Sequence, residues 1–276
     1  MERLLCYMSS AHMHCREDWI ACLDHAKRMG FDGVELFSEE NGVNFADMPE
    51  ARCMEIARHA KSLGIRIAAH PWVQWDCLPD GELEGRFRGL IARCIRMGIR
   101  EVNMHLHFLA NRAQGMARAL NATDACMDLM EQADLLLLYE NVPEHGNREL
   151  GSEIADFDSL FRHYGPGSKV MMNVDTGHAH IMHQIAPLCE DFGAYWKYTH
   201  INDNDGLNDL HLAPGCGTLD IDAVAHAARR ANYTGILTME YGETGLRTGV
   251  PATADAYARA GYELARLNDE TLAKCP

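Results

Sequence analysis

The segment AKRMGFDGVELF (residues 26–37) joins a basic amphipathic stretch to an apolar run through a single glycine. A basic last turn followed by Gly or Asn is typical of a helix C-terminus, and the apolar run after it is typical of a buried strand. The same order recurs in AKSLGIRIAAH (60–70), CIRMGIREVNMHLH (94–107) and ARRANYTGILTMEYG (228–242). Four such joints predict a repeated unit of helix, turn and strand.

Further apolar runs extend this unit along the chain, at 3–9, 135–140, 169–175 and 195–202. Helical patterns separate the strands, at 16–29, 50–63, 83–97, 116–133, 178–190 and 220–231. Eight strands alternating with helices over about 250 residues predict an α/β chain that forms a single (β/α)8 TIM barrel over residues 1–276. A doubly wound open sheet is the alternative, but no G-x-G-x-x-G follows the first strand, so a dinucleotide site lacks support.

Composition restricts the class of protein further. The chain has 276 residues, of which 47% are hydrophobic, and this is ample for a buried core. Its formal net charge of -15 disfavours a broad basic face for nucleic acid. The ten cysteines form no C-x-x-C pair, and no apolar run approaches the roughly 18 residues of a membrane helix. We expect a cytoplasmic protein without a membrane partner.

Carboxylates and imidazoles recur where the predicted strands end. The last polar residues of seven strands are Glu35, His70, His105, Glu140, Asp175, His200 and Glu240. The first five lie 35 residues apart, which is about the length of one unit of helix, turn and strand. Active sites of (β/α)8 barrels form at the C-terminal ends of the strands. A single histidine at such a position is usually a hydrogen-bonded structural residue. Seven side chains of this kind at one mouth predict a metal site.

Two local motifs add ligands to this site. In VDTGHAH (174–180), Asp175 and His178 are three residues apart across a glycine, so both can face one cavity, whereas His180 is read as structural or surface. In HINDNDGLNDLH (200–211), Asp209 and His211 form a D-x-H pair after His200. The other polar residues of that stretch are predicted to form turns; they are Asn202, Asp203, Asn204, Asp205 and Asn208.

Three interpretations stay open at the residue level. In the HLH sequence at 105–107 we favour His105 over His107 as the ligand, since the two share one face of a strand. Trp72 is expected to form an apolar wall for a sugar ring, or to serve in the core or a lid. Glu35 either binds substrate or supports the sheet.

Five segments together resemble a known family. They are GFDGVELF (30–37), YENVP (139–143), NVDTGHAH (173–180), HINDNDGLNDLHLAPGCGTLDI (200–221) and YTGILTMEYG (233–242). The chain is similar to the xylose isomerase-like TIM barrels, which join sugar and sugar-phosphate isomerases and epimerases with apurinic-site nucleases of the endonuclease IV type. The resemblance covers nearly the whole chain, and its most specific parts are the DTGH sequence and the block that begins at His200.

The resemblance implies two metal arrangements. On the epimerase pattern, one divalent ion is bound by Glu140, Asp175, His200 and Glu240, with His178 nearby and the two glutamates as the catalytic proton-transfer groups. On the nuclease pattern, up to three zinc ions have as ligands His70, His105, Glu140, Asp175, His178, His200, Asp209, His211 and Glu240. The resemblance also implies a homo-oligomer. The chain departs from the ketose epimerases because no arginine follows His200 closely.

The predicted loops around the mouth argue against a duplex DNA ligand. Phosphate contacts need Lys, Arg or backbone donors. Three of these loops contain no Lys or Arg, at 38–50, 71–85 and 215–222. The arginines predicted near the mouth are Arg112, Arg148 and Arg247, and a phosphorylated sugar would need one of these three as its clamp. We therefore expect a small carbohydrate substrate, contacted by Trp72, Glu35 and Arg247, and no nucleic acid.

These observations favour a divalent-metal-dependent isomerase or epimerase of a small sugar, ketose or polyol. Glu140 and Glu240 would transfer a proton, while the ion holds the charge of an enediolate. Five imidazoles favour Zn²⁺ or Mn²⁺ over Mg²⁺, with one to three ions per chain. Two alternatives stay open: a multinuclear zinc phosphoesterase like endonuclease IV, and a metal-dependent dehydratase of a polyol or hydroxy acid.

Overall fold

The strands of the computed structural model pair in sequence order and close into a parallel barrel, because β8 returns to pair with β1. The structure describes residues 4–38, 45, 48–72, 78–106, 111–144 and 149–241. The strands are β1 Leu5–Ser9, β2 Gly33–Ser38, β3 Arg66–Pro71, β4 Glu101–His105, β5 Leu136–Glu140, β6 Val170–Asp175, β7 Trp196–Ile201 and β8 Ile236–Met239. The predicted (β/α)8 barrel is confirmed.

Helices connect the strands around the barrel. They are α1 Trp19–Met29, α2 Glu50–Leu63, α3 Asp80–Arg96, α4 Arg112–Asp124, α5 Met127–Ala133, α6 Ile154–Tyr164, α7 Thr176–Ile181, α8 Ile185–Asp191 and α9 Ile221–Arg230. A short 3₁₀ helix, Ser10–His12, follows β1. Within the described ranges, no helix combines the length and the apolar character that crossing a membrane requires.

The joints from helix to strand have the geometry that their sequence predicts. Gly30 after α1 and Gly64 after α2 adopt left-handed backbone angles, with φ of 86° and 65°. Asn232, which follows α9, has a φ of 50°. A left-handed residue ends a helix and turns the chain, and Gly and Asn tolerate that conformation best. The apolar residues that follow then enter the barrel as strands.

Two predicted helices are each divided in the structure. The segment 116–133 forms α4 and α5, because the chain leaves helical geometry at Cys126, whose φ is -115°. The segment 178–190 forms α7 and α8, and His183 between them has a φ of 54°. Helix α6 was absent from the predicted helices; it begins with a reciprocal capping box. The first division follows the shifted φ of one residue, and the second follows His183 together with Gln184, whose φ is -114°.

Side chains inside the barrel form two layers of different character. Alternate residues of a strand face the same side, so one strand contributes to both layers. The lower layer is mainly apolar and includes Tyr7, Ala68, Leu138, Tyr198 and Ile236. Two positions further along the same strands, the buried side chains are polar: Ser9, His70, Glu140, His200 and Thr238. The packed lower layer supports a polar site at the C-terminal end of the barrel.

Candidate metal centre

Four buried side chains from three strands and the end of β8 converge on one point. They are Glu140, Asp175, His200 and Glu240, and their ligand atoms all lie within 4.8 Å of one another. His200 Nδ1 lies 3.2 Å from Glu140 Oε1 and 3.0 Å from Glu240 Oε2. These three atoms are buried and have no hydrogen-bond partner among the described residues. Burying polar atoms without a partner costs free energy, and one divalent cation would serve as the partner of all three. This donor set therefore fits a metal ion.

The imidazole of His200 is oriented by a carboxylate beneath it. Its Nε2 donates a hydrogen bond to Glu35 Oε2 over 3.0 Å. This contact directs the other ring nitrogen, Nδ1, toward the carboxylates of Glu140 and Glu240. Glu35 is fully buried and level with Ala68 of β3, so it lies deeper than the strand-end position predicted for it. A carboxylate on the second nitrogen fixes the tautomer of a metal-binding histidine. Glu35 does not line the mouth cavity, and its hydrogen bond positions His200. With His70, His200 and Glu240 it also forms an overlapping set of possible ligands whose atoms lie within 4.8 Å of one another.

The buried carboxylates and imidazoles shift one another's pKa. Burial lowers the pKa of His200, but Glu140 and Glu240 outweigh it and hold that pKa well above its ordinary value. Burial raises the pKa of Asp175 to about 7, although His178 acts in the opposite direction. Burial also acts to raise the pKa of Glu240, and His200 reverses this so that the pKa lies below its ordinary value. The protonated imidazoles thus balance the negative charge of the carboxylates, and a cation has to displace these protons when it binds.

A second group of candidate ligands shares Glu140. His70 Nε2 lies 3.7 Å and His105 Nε2 lies 3.6 Å from Glu140 Oε2, and the three meet the same 4.8 Å limit. The register of the sheet places His105 beside Glu140. Because Oε1 of Glu140 lies near His200 and Oε2 lies near the other two histidines, this single carboxylate would belong to both groups of candidate ligands.

A third group joins α7 to the loop after β7. Nε2 of His178 and Nε2 of His211 each lie 3.3 Å from Asp209 Oδ2. The Nδ1 of His211 donates to the carbonyl oxygen of Glu240 over 3.0 Å, and the Nδ1 of His178 donates to that of Asn141 over 2.9 Å. Both rings are therefore fixed with Nε2 turned toward the carboxylate, as a metal ligand requires.

We expect cation binding to release protons and to strengthen as the pH rises. Burial lowers the pKa of His211, but its hydrogen bond to Asp209 and the nearby carboxylates raise it to about 9. The proton on His211 therefore stabilises the metal-free fold fully below the ordinary histidine pKa, and this stabilisation is lost as the pH rises through about 9. Because a cation binds the neutral ring, its apparent affinity should rise about tenfold per pH unit for each displaced proton.

Calorimetric titration with Zn²⁺ in buffers of different ionisation enthalpy measures this proton release. His211→Gln should release about one proton fewer than the wild type. His180→Gln is the matched control, because His180 bonds to a threonine hydroxyl outside the three groups, and it should match the wild type. A heat of binding that is independent of the buffer would contradict the raised pKa.

The VDTGHAH motif positions two ligands through a helix start. Asp175 caps α7, and its Oδ1 accepts a hydrogen bond from the backbone N–H of His178 over 2.7 Å. Gly177 between them leaves no space for a Cβ, because the side-chain amide of Asn202 occupies it. The structural interpretation of His180 agrees with its hydrogen bond outside the site.

Three buried amides support the ligands, and the sequence analysis did not assign them to the site. Asn202 donates to Asp175 Oδ2 over 2.7 Å, and Asn173 donates to Glu140 Oε2 over 3.1 Å. The side chain of Asn141 accepts from the backbone N–H of Asp175 over 2.8 Å. Two of them carry a sequence signal, since Asn141 directly follows a ligand and Asn173 shares a strand face with one.

The polar residues of HINDNDGLNDLH divide between ligands and loop support. Asp203 is buried, and its carboxylate accepts four backbone N–H groups at 2.8 to 2.9 Å, those of Asn204, Gly215, Gly217 and Leu219. Asp205 is a turn former, as predicted, and accepts the N–H of Leu207 and of Asn208. Asn202, Asp203 and Asn204 do more than form turns, because they are buried and tie the loop to the barrel.

Asp203→Ala should lower the free energy of unfolding by about 3 kcal/mol or more, because it leaves several N–H groups without a partner. Asp205→Ala is the matched control two residues away; its exposed carboxylate serves only a local turn, and the loss should be about 1 kcal/mol or less. Urea denaturation of both variants measures the difference. Equal losses would contradict the role given to Asp203.

A cavity of about 370 Å³ opens above the three groups. Two aromatic side chains form one wall: the ring of Phe37 lies 5.1 Å from that of His70, and the ring of Trp72 lies 5.7 Å from that of His105. Trp72 is 39% exposed, so it is a wall residue of the mouth rather than a core residue. An apolar wall opposite polar ligands is typical of a small-molecule site.

Two further residues of the mouth were missed in the sequence. Arg16 and His12 lie between β1 and α1 and line the cavity. The ring of His12 lies 4.4 Å from that of His211. Nothing in their local sequence distinguishes them, since they reach the mouth only because the chain turns over the end of β1.

The arginines predicted near the mouth do not all reach it. Arg112 contacts Asp156, in the first turn of α6, and the carbonyl oxygen of Glu149, which precedes that helix. It does not line the cavity. Of the three candidate clamps for a phosphorylated sugar, Arg112 is therefore held by an ion pair outside the cavity. Arg148 and the predicted substrate contact Arg247 lie outside the described residues.

The comparison with protein families gives one match over most of the chain. The model of the xylose isomerase-like TIM barrels matches residues 23–266. The chain belongs to the xylose isomerase-like TIM barrel family. An uncharacterised protein of Mycobacterium leprae (strain TN) is 23% identical to this xylose isomerase-like barrel over 250 residues, which cover 83% of this chain and 85% of that one.

Solved structures share the xylose isomerase-like fold at low sequence identity. A D-tagatose 3-epimerase-like protein is 16% identical, with a TM-score of 0.79 and coverage of 98% of this chain and 99% of that one. A D-psicose 3-epimerase is 15% identical, with a TM-score of 0.77 and the same coverage. The 3-keto-D-glucoside 4-epimerase of E. coli is 14% identical, with a TM-score of 0.70 and coverage of 96% and 100%. At these low sequence identities, the structural similarity shows the fold alone.

Proposed function

We propose that this protein is a divalent-metal-dependent isomerase or epimerase of a small sugar, ketose or polyol. The observation that carries the proposal is the buried group of Glu140, Asp175, His200 and Glu240, in which two glutamates flank one imidazole nitrogen at the floor of the mouth cavity. Structural neighbours that are named as sugar epimerases support the same chemistry.

Zn²⁺ or Mn²⁺ fits the donors of this group best. Three carboxylates and one imidazole suit a borderline transition metal, and Mg²⁺ prefers oxygen and water alone. When bound, the ion supplies Lewis acidity that stabilises negative charge on a carbonyl oxygen of the substrate. Asp175, with both oxygens engaged by donors, holds its geometry without taking part in proton transfer.

Glu140 and Glu240 are the proposed proton-transfer groups. Both carboxylates line the cavity, and the imidazole of His200 contributes to holding the pKa of each below its ordinary value, so both are ionised. One removes a proton from the carbon beside the substrate carbonyl, and the other returns a proton to the product. Trp72 and Phe37 would pack against the sugar and exclude water from one side.

The charge of the mouth favours a small carbohydrate over nucleic acid. Among the described residues that line the cavity, Arg16 is the single guanidinium or ammonium group. A duplex needs many phosphate contacts, whereas a monosaccharide needs mainly hydrogen-bond donors and acceptors. The proposed partner is therefore a small sugar.

Solvent-deuterium exchange tests the proposed activity even when the product has not been identified. The metal-loaded protein is incubated in D₂O with D-fructose, D-tagatose or D-psicose, and the sugars are analysed by mass spectrometry. We expect incorporation of one deuterium, and its loss after chelation with EDTA and recovery with Mn²⁺ or Zn²⁺. Absence of exchange across a wider ketose and polyol panel would contradict the proposal.

The second and third ligand groups favour one other candidate, a multinuclear zinc phosphoesterase. Both groups have histidine nitrogens turned toward a carboxylate, and Glu140 belongs to two of the three groups. Two or three ions could activate water for attack on a phosphate ester. The number of bound ions separates this candidate from the isomerase.

A further inference from the structure

A second cavity, of about 660 Å³, lies at the opposite end of the barrel from the metal centre. It is bordered by α2, the start of β3, the end of α3 and the start of β4. Parallel strands begin at this end, so the cavity shares no residue with the mouth. Its volume is within the range of about 300 to 1,000 Å³ that small-molecule sites occupy.

The floor of this lower cavity is apolar, and its rim is strongly cationic. The floor is aliphatic and is formed by Met54, Ala57, Ala60, Ile65, Ile67 and Met97. The rim carries five cations and one carboxylate, Arg58, Lys61, Arg66, Arg96, Arg100 and Glu101. In a chain with a formal net charge of -15, such a concentration of positive charge needs a physical reason.

Neighbouring carboxylates neutralise only part of this rim. Arg66 pairs with Glu101 at 2.8 Å, and Arg96 pairs with Glu50 at 2.8 Å. The other three cations, Arg58, Lys61 and Arg100, form no ion pair with a carboxylate of the described residues. Among the described residues, three cations therefore border one aliphatic cavity without an ion pair, although Glu101 and Asp134 lie near enough for their charges to interact with that of Arg100.

The capping of helix ends does not explain why the rim carries cations that form no ion pair. The C-terminus of α2 is closed by Gly64, whose N–H donates to the carbonyls of Ala60 and Lys61. The end of α3 is closed by Gly98, whose N–H donates to the carbonyl of Ile95. Lys61 lies in the last turn of α2, where a cation complements the helix dipole, but Arg58 lies a turn earlier and Arg100 lies just before β4.

We propose that the lower cavity binds a small organic anion, a molecule with an apolar body and one or more phosphate, sulfonate or carboxylate groups. The aliphatic floor takes the apolar body, and Arg58, Lys61 and Arg100 bind the anionic groups. An aliphatic floor with a cationic rim matches this class of ligand better than a neutral sugar, which would leave the cations unpaired. This site is independent of the activity proposed for the mouth.

Fluorescence titration with 8-anilinonaphthalene-1-sulfonate tests the site in the metal-loaded protein, because this probe combines an apolar body with one negative charge. We expect one saturable site per chain. The double variant Lys61→Glu with Arg100→Glu should raise the dissociation constant about tenfold or more. Both residues lie on the surface of the barrel end, so the melting temperature should change little.

A matched double variant separates the cavity from the charge of the whole chain. Lys27→Glu with Arg28→Glu changes the net charge equally, in the last turn of α1, and should alter the dissociation constant less than about twofold. Ala57→Phe fills the cavity and should abolish saturable binding while it keeps every charge. Equal weakening by the two double variants, binding that survives Ala57→Phe, or no saturable binding by the wild type would each overturn the proposal.

Discussion

Glu240→Gln is expected to lower the rate of deuterium exchange into a ketose substrate by about 10³-fold or more. Glutamine has nearly the same shape as glutamate, but it accepts no proton and presents a weaker ligand to a cation. In the structure Glu240 Oε2 is buried and lies 3.0 Å from His200 Nδ1, within the group of proposed ligands. The measurement is the initial exchange rate together with metal content, which separates lost proton transfer from lost metal.

Glu149→Gln provides the control for the charge of the mouth. Glu149 lines the same cavity but belongs to none of the ligand groups, so its substitution removes one negative charge and no proposed ligand. Its rate should stay within a few-fold of the wild type, roughly the effect of one partly exposed charge. If Glu240→Gln retained full activity, or if both variants lost activity equally, the proton-transfer role of Glu240 would be wrong.

Glu140→Ala should remove most of the bound metal, whereas His211→Ala should remove at most one ion per chain. Glu140 contributes one oxygen to the His200 group and the other to the His70 and His105 group, so its loss damages two sites at once. His211 belongs only to the third group. Elemental mass spectrometry of protein purified without added metal or chelator gives the number and identity of the ions.

The metal count also decides between the two candidate functions. A value near one that survives His211→Ala supports the isomerase or epimerase. A value near two or three that falls with His211→Ala directs attention to phosphate-ester hydrolysis. His180→Ala, with its ring outside all three groups, should leave the count unchanged. Loss of metal in that control would indicate general damage to α7 instead of a lost ligand.

Much of the barrel was predictable because its signals are local. Gly30 and Gly64 end helices in left-handed geometry, and the apolar run that follows each one forms a strand. Alternate residues of a strand share a face, and in the structure His70 and His200 lie two positions beyond the buried Ala68 and Tyr198. The divided segment 116–133 was not predictable in this way, since one non-helical residue within an otherwise helical pattern is a weak signal.

The sequence by itself determined the repeated unit, the barrel and the residue types at the strand ends. The tertiary structure decided how those side chains face one another. Glu35 and His200 are 165 positions apart, yet their hydrogen bond selects the ring nitrogen that faces the carboxylates. Likewise, Arg112 forms an ion pair with Asp156 away from the cavity, whereas Arg16 lines the mouth. Local patterns set the conformation of a few neighbouring residues, but distances across a closed barrel depend on the pairing of all its strands.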